Sequence, residues 1–322
     1  MTQADSQQTA RLIHTGQVIV DLVMQIDTLP SHGGDVLAHS ASFEVGGGFN
    51  VMAAARRSGM RVVYPGGHGH GRFGDMARQA LTQEGVEIAG PEVADKDTGL
   101  CVAIVDASAE RTFVSYMGAE SVLERQVLDA LSVNARDIVY VSGYSLMLAD
   151  KGAMLVDWLE QLPSETRVAF DPGPLVDAID ATLLARMLAV VSIWTSNRVE
   201  ALRFAKTDNF DAAFDSIIAR LRTGALAIVR DSASGCHLRV GEARDHVPGF
   251  AVKAVDSNGA GDAHAGVFLA ALAAGADART AARRANAAAA IAVTRYGPAT
   301  SPDAAEIDAF IASSIAEARQ AN

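Results

Sequence analysis

The run Asp256-Ser257-Asn258-Gly259-Ala260-Gly261-Asp262, followed by the small-residue stretch from Ala263 to Gly275, decides how this chain is read. Two glycines around one alanine permit a tight backbone turn. The segment after it reads as a helix, because alanine has the highest helix propensity and Val267, Phe268 and Leu269 supply apolar surface. The free amides of that first turn form a nest for an anion, and the helix field adds to it. Asp262 places a carboxylate inside the same turn, where its charge opposes a bound anion. An acid in that position has a chemical use: it accepts the proton of an alcohol while the amides stabilise a transferring phosphoryl group. The plainer alternative is an acidic residue favoured near a helix start for its own sake.

The 322 residues suit one large domain, or a domain with a small appendage. A formal charge of −11, from 27 Lys plus Arg against 38 Asp plus Glu, disfavours non-specific binding to nucleic acid or anionic lipid. Local backbone amides can still bind a phosphorylated ligand. Only Cys101 and Cys236 are present, far apart, so no disulfide framework is expected and a reducing, cytoplasmic setting fits. The opening MTQADSQQTA lacks a basic start and an apolar core, reads as no signal peptide, and is expected to be a flexible tail over 1–10. No apolar run is long enough to suggest a membrane span.

Along the chain, strand-like residues at 12–24 precede a glycine-rich interval at 46–48 and a short helix at 51–59. A strand at 61–64 and a helix at 73–84 follow, then two short strands at 101–105 and 111–116. These two strands, with 35–44, are candidates for a small separate sheet. Beyond residue 125, strands at 138–142, 167–171, 190–194 and 225–229 alternate with helices at 149–161, 176–188, 198–205 and 210–223. That alternation predicts a mostly parallel sheet with right-handed crossovers. Alanine-rich helices at 262–274 and 279–293 close the pattern. There is no GxGxxG at a strand-to-helix junction and no GxxxxGK[ST], which removes a dinucleotide domain and an ordinary P-loop.

Other elements join the 256–262 run: Gly46-Gly47-Gly48-Phe49-Asn50 with Ala53-Ala54-Ala55-Arg56-Arg57-Ser58-Gly59, then Gly66, Gly69, Gly71 and Phe73-Gly74-Asp75. Asn197-Arg198-Val199-Glu200 and Val293-Thr294-Arg295-Tyr296-Gly297 complete the set. In combination and order these motifs closely resemble the PfkB, or ribokinase-like, family of carbohydrate kinases, from about residue 12 to about 308. The resemblance implies a three-layer α/β/α fold with a mainly parallel central sheet and a small β-sheet lid. The kinase domain would span 11–310, with lid segments at about 12–45 and 98–117, and 311–322 would form a C-terminal tail.

The same resemblance implies the site. Asp262 would be the general base, with Gly259, Ala260 and Gly261 as the anion hole. Asp21, Gly47 and Asn50 would hold the acceptor's hydroxyls, and Arg111 would be a lid residue able to reach an anionic or highly hydroxylated substrate. Asn197, Ser232, Gly235 and Asn286 would face ATP, Glu200 would orient water on Mg²⁺, and Asp256 would belong to a site for a monovalent cation such as K⁺. A homodimer through the lid is implied too. Several residues depart from the family pattern. Only two residues separate Gly47 from Asn50, Gly71 stands where an Asp is common, Asn258 and His264 are unusual, and Arg230-Asp231-Ser232 replaces a Thr-x-Gly pattern. His68 and His70 lack the partners of a structural metal site, while Met24, Met117 and Trp194 read first as packing residues. The acceptor is expected to be a sugar or sugar-like alcohol; a nucleoside acceptor, or a non-catalytic ligand-binding protein of the same fold, are the alternatives.

Overall fold

The computed structural model describes residues 9–108 and 111–320. The first part supplies β1 (Arg11–His14), β2 (Val18–Gln25), β3 (Ser40–Gly47), α1 (Gly48–Arg57), β4 (Arg61–Tyr64), β5 (His68–Gly69) and α2 (Arg72–Gln83). Next come β6 (Glu87–Ile88), β7 (Glu92–Val93), β8 (Leu100–Val105), β9 (Arg111–Tyr116), α3 (Arg125–Ala130), β10 (Ile138–Ser142) and α4 (Ala149–Leu159). They are followed by β11 (Arg167–Asp171), α5 (Ala181–Val190), β12 (Ile193–Asn197), α6 (Arg198–Ala205), α7 (Phe210–Ile218) and β13 (Leu226–Arg230). The chain closes with β14 (Cys236–Val240), β15 (Ala243–Val247), α8 (Ala260–Ala273), α9 (Ala278–Ala292) and α10 (Ala304–Gln320).

The central sheet has the order β15-β14-β13-β12-β11-β10-β1-β4-β6, parallel from β13 to β6 and closed at one edge by antiparallel β14 and β15. Its strands are apolar on both faces, as parallel strands covered on both sides must be. Leu12, Val62, Ile138 and Tyr140 join the core beneath α1, α2, α8 and α9, while Ile13, Val63, Val139 and Val141 join the core beneath α3 to α7. This alternation produces the three-layer arrangement expected. Trp194 lies in the second core against Phe170 and Phe204, in keeping with its reading as a packing residue.

A second sheet, β3-β2-β8-β9, stands apart from the first. It begins at Val18, later than the 12–45 segment expected: Leu12 and Ile13 are fully buried in the central sheet, where β1 pairs with β4 and β10. The buried Glu120 carboxylate accepts from Gly99 N at 2.7 Å and Gly118 N at 2.8 Å, and so ties the start of β8 to the end of β9 at the base of the hairpin. The expected 311–322 tail is α10 as far as Gln320, anchored upstream by fully buried Ile307. Apart from residues 9 and 10, the tail expected over 1–10 lies outside the described residues.

The strand expected at 190–194 instead falls at 193–197, because α5 continues to Val190. Helix α1 runs from 48, three residues earlier than expected, with Gly47 as its N-cap. Helices α1 and α8 cross closely at Gly266, where a Cβ would come within 2.6 Å of the Ala54 Cβ and 2.5 Å of the Val51 carbonyl. That contact brings the start of α1 to the start of α8.

Candidate active site

The carboxyl ends of β11, β12 and β13 carry Asp171, Asn197 and Arg230, and the N-terminus of α8 faces the same region. In an open α/β sheet, ligands bind beyond these strand ends. Gly259 caps α8 in the left-handed region at φ 70°, and the Pro298 carbonyl lies where its Cβ would be, so only glycine fits there. Ala260 N leans on Ser257 O at 3.4 Å, whereas the amides of Gly261 and Asp262, as first-turn groups, have no intrahelical acceptor.

Asp262 is half-buried and accepts a 2.9 Å hydrogen bond from Asn50 Nδ2. Desolvation pushes its pKa up to about 6; the Asn50 bond opposes the rise, Asp171 adds to it and Arg230 opposes it. Asn50 Oδ1 is buried and has no partner among the described residues. A buried carbonyl oxygen left unpaired is costly unless a ligand supplies a donor.

Asp21 lies in the small sheet, in a cross-strand row Glu44–Asp21–Cys101–Ser115. Its pKa is also pushed up to about 6, by burial first and then by Glu44 and Asp262, with the Cys101 thiol opposing. Asp262 is thus close enough to Asp21 to repel it. Gly46 makes room for the Asp21 carboxylate, since any Cβ there would strike Oδ2. Gly47 has another role: at φ 63° it turns the chain from β3 into α1, and its Cβ would meet Gln17 O at 2.8 Å. Arg111 pairs through its backbone with Val105, four residues along the ladder from the Cys101–Ser115 row, about 13 Å at strand rise.

Asn197 and Glu200 form a capping box at the start of α6: Glu200 N donates to Asn197 Oδ1 and Asn197 N to Glu200 Oε2, both at 2.8 Å. Burial, followed by Asp171, raises the Glu200 pKa. Arg230, nearly buried, donates to Thr195 Oγ1 at 2.6 Å and Asp171 Oδ2 at 3.3 Å, and lies 3.7 Å from Glu200 Oε2. Burial works against its charge, but Asp171, Glu200 and Asp262 hold it protonated.

Ser232 and Gly235 shape the turn after β13. Ser232 adopts a left-handed conformation at φ 49°, and Asp231 N closes the turn on Gly235 O at 2.7 Å. Asn286 is buried; its Nδ2 donates to the Val247 and Pro248 carbonyls and its Oδ1 accepts from His264, so it braces the wall formed by the end of β15. Asp256 accepts from Asn258 N at 2.9 Å and Gly297 N at 3.1 Å, tying the 256–258 turn to the 297 loop.

No group of three or more His, Cys, Asp or Glu among the described residues could hold a metal by itself. His68 faces Arg78 at 3.0 Å, a poor setting for a cation. The carboxylates near α8 instead suit a hard cation that keeps its waters and binds mainly through phosphate. Glu44 and Asp171 join the site although no motif read from the sequence contains them, and Gly46 entered only as part of the glycine run at 46–48. Arg230 was visible in the sequence only as a departure from the Thr-x-Gly pattern.

A sheet open at its strand ends, a helix N-terminus with free first-turn amides and an acid at that terminus lie together in this α/β fold. The profile described as "pfkB family carbohydrate kinase" matches residues 9–305, and the chain belongs to this family. It is 34% identical over 263 residues to an uncharacterized sugar kinase, YegV, of Escherichia coli (strain K12), covering 81% of each chain. Its fold is similar to that of ribokinase from Giardia lamblia, with a TM-score of 0.82 at 24% identity over 94% of this chain and 99% of that one. It is also similar to fructokinase from Vibrio cholerae O395 in its fructose-, ADP- and calcium-bound form, with a TM-score of 0.80 at 22% identity and the same two coverages. Among the described residues, no helix is long and apolar enough to cross a membrane.

Proposed function

We propose that this protein transfers the γ-phosphoryl group of ATP to a hydroxyl of a sugar or sugar-like alcohol. The observation that carries the reading is the Asn50–Asp262 pair: a desolvated carboxylate, held by the amide of a second motif, at the N-terminus of α8. Asp262 accepts the proton as the acceptor oxygen attacks, which requires it to be ionised. The Gly261 and Asp262 amides then stabilise charge developing on the phosphoryl oxygens. Asn50 Oδ1 and Asp21 are the acceptors that would take the alcohol's remaining hydroxyl hydrogens.

Mg²⁺ bound with the nucleotide would supply charge neutralisation, and Glu200, whose Oε1 takes no hydrogen bond from the described residues, would orient one of its waters. The 256–258 turn and the 297 loop are the candidate for a monovalent-cation site. The relatives support the sugar class: YegV is named a sugar kinase, and the Vibrio cholerae fructokinase holds fructose with a nucleotide and a divalent ion.

We further propose a homodimer through the small sheet. Phe113, Val114 and Tyr116 on its edge strand β9 are 57%, 64% and 76% exposed, an apolar edge that calls for cover. Light scattering should then give about twice 33.6 kDa.

The reaction is tested by incubating the purified protein with Mg²⁺-ATP and panels of hexoses, pentoses, keto-deoxy sugar acids and nucleosides, detecting the phosphorylated acceptor directly. A phosphorylated sugar supports the reading. Phosphorylation confined to nucleosides, or of no acceptor, contradicts it.

A further inference from the structure

Three carboxylates, Asp171, Glu200 and Asp262, gather where a polyanionic nucleotide tail would have to enter, and the guanidinium of Arg230 faces all three. Arg230 is nearly buried at the end of β13 and fixed in orientation by its bond to Thr195 Oγ1. It also borders the anion cradle. A Cβ on Gly261 would lie 3.5 Å from Nε and 3.6 Å from both Cζ and Nη2, in ordinary contact. Because residue 261 has no side chain, nothing from it stands between the guanidinium and the α8 N-terminus.

Building on the kinase reading, we propose that Arg230 is a phosphate-binding residue of this chain, a fixed cation that lines the cradle beside Gly261 and contacts the β- and γ-phosphates of the nucleotide. Its forked donors suit phosphate oxygens better than a single ammonium. Asp171 and Glu200 hold the fork in place before the nucleotide arrives, and the arginine offsets part of their repulsion of the phosphates. Asp231 is occupied with Arg198 instead, at 3.0 Å.

The test measures calorimetric binding of Mg²⁺-AMP-PNP and of AMP, which lacks the β- and γ-phosphates, to wild type, Arg230→Met and Arg230→Lys. Arg230→Met should weaken AMP-PNP by about 10- to 100-fold, the scale of a lost charge-assisted contact, and leave AMP nearly unchanged. Arg230→Lys should recover part of the loss. In turnover, the acidic limb of the Arg230→Met rate profile should also move to higher pH, because the guanidinium lowers the pKa of Asp262; the deciding readout is the AMP-PNP to AMP preference, which a purely structural role would not move. If Arg230→Met does not fold, the lysine variant decides the matter, because loss of the fork alone should still lower the AMP-PNP to AMP preference. An unchanged preference in a folded variant overturns the proposal while leaving the kinase reading intact. Failure of the wild-type protein to bind AMP-PNP overturns both.

Discussion

Asn50 Nδ2 donates to Asp262 Oδ2 at 2.9 Å across a sequence separation of 212, and this bond joins the two signature motifs of the chain. It restrains the carboxylate at the helix start and favours its charged form, so it bears on both the geometry and the pKa of the proposed base.

The rate should therefore depend on pH with an acidic limb near 6. Asp262 must be ionised to accept a proton, and desolvation places its pKa at about 6, so turnover is retained above that value and falls as pH drops through it. Asn50→Leu removes the opposing hydrogen bond and should shift the limb upward. A profile of kcat/KM against pH for both proteins, which reports the free enzyme, checks this; an acidic limb near 4 in wild type would show that the carboxylate is not desolvated as described.

The same desolvation predicts that the base destabilises the fold. A carboxyl whose folded pKa lies above its unfolded value favours folding when protonated, and that advantage is lost as pH rises through about 6. Asp262→Asn, which is neutral at every pH, should melt higher than wild type at pH 8, by a few degrees for a chain of this length, with the gap narrower at pH 5 and closed only below about 4. Melting curves at the two pH values decide it, and a gap that does not change with pH would contradict the cause assigned.

Replacing Asp21 with Ala should weaken acceptor binding far more than ATP binding. Loss of a charge-assisted hydroxyl contact costs about 1.5–3 kcal/mol, and Asp21 lies in the small sheet, away from the β12 and β13 ends. Titration calorimetry with each ligand separates the two; equal losses would make Asp21 a structural residue of the strand.

Glu120→Gln tests the base of the small sheet. An amide cannot accept from both Gly99 N and Gly118 N with two oxygens, so one buried N–H would face an NH₂ group, at a cost of about 1–3 kcal/mol. The KM for the acceptor should rise while that for ATP changes little, and hydrogen exchange at 99–118 should quicken. Unchanged exchange there would contradict the clamp.

The sequence carries most of the layered fold, because buried parallel strands leave apolar runs such as Ile138-Val139-Tyr140-Val141 between helical segments. The β14–β15 hairpin escapes notice because His237, Arg239, Arg244, Asp245 and His246 interrupt its apolar pattern. Helix α10 reads as a tail because its apolar residues are sparse among Ala, Ser and Glu. In the site, the turn at 256–262 is legible from composition alone, since a nest and its acid are contiguous. The Asn50–Asp262 bond and the Arg230 cluster arise only where separate elements converge, and nothing local to position 50 or 230 signals them. Asn286 shows the reverse: a residue expected to face the nucleotide has both amide hydrogens committed to the 247–248 backbone.

The central claim, that Asp262 is the general base of a phosphoryl transfer to an alcohol, is tested most directly by single-turnover formation of the phosphorylated acceptor by Asp262→Asn. The substituted protein should bind Mg²⁺-ATP as wild type does and form product about 10²–10⁴-fold more slowly, the scale of a positioned general base. Product formation at a near-wild-type rate would contradict the account.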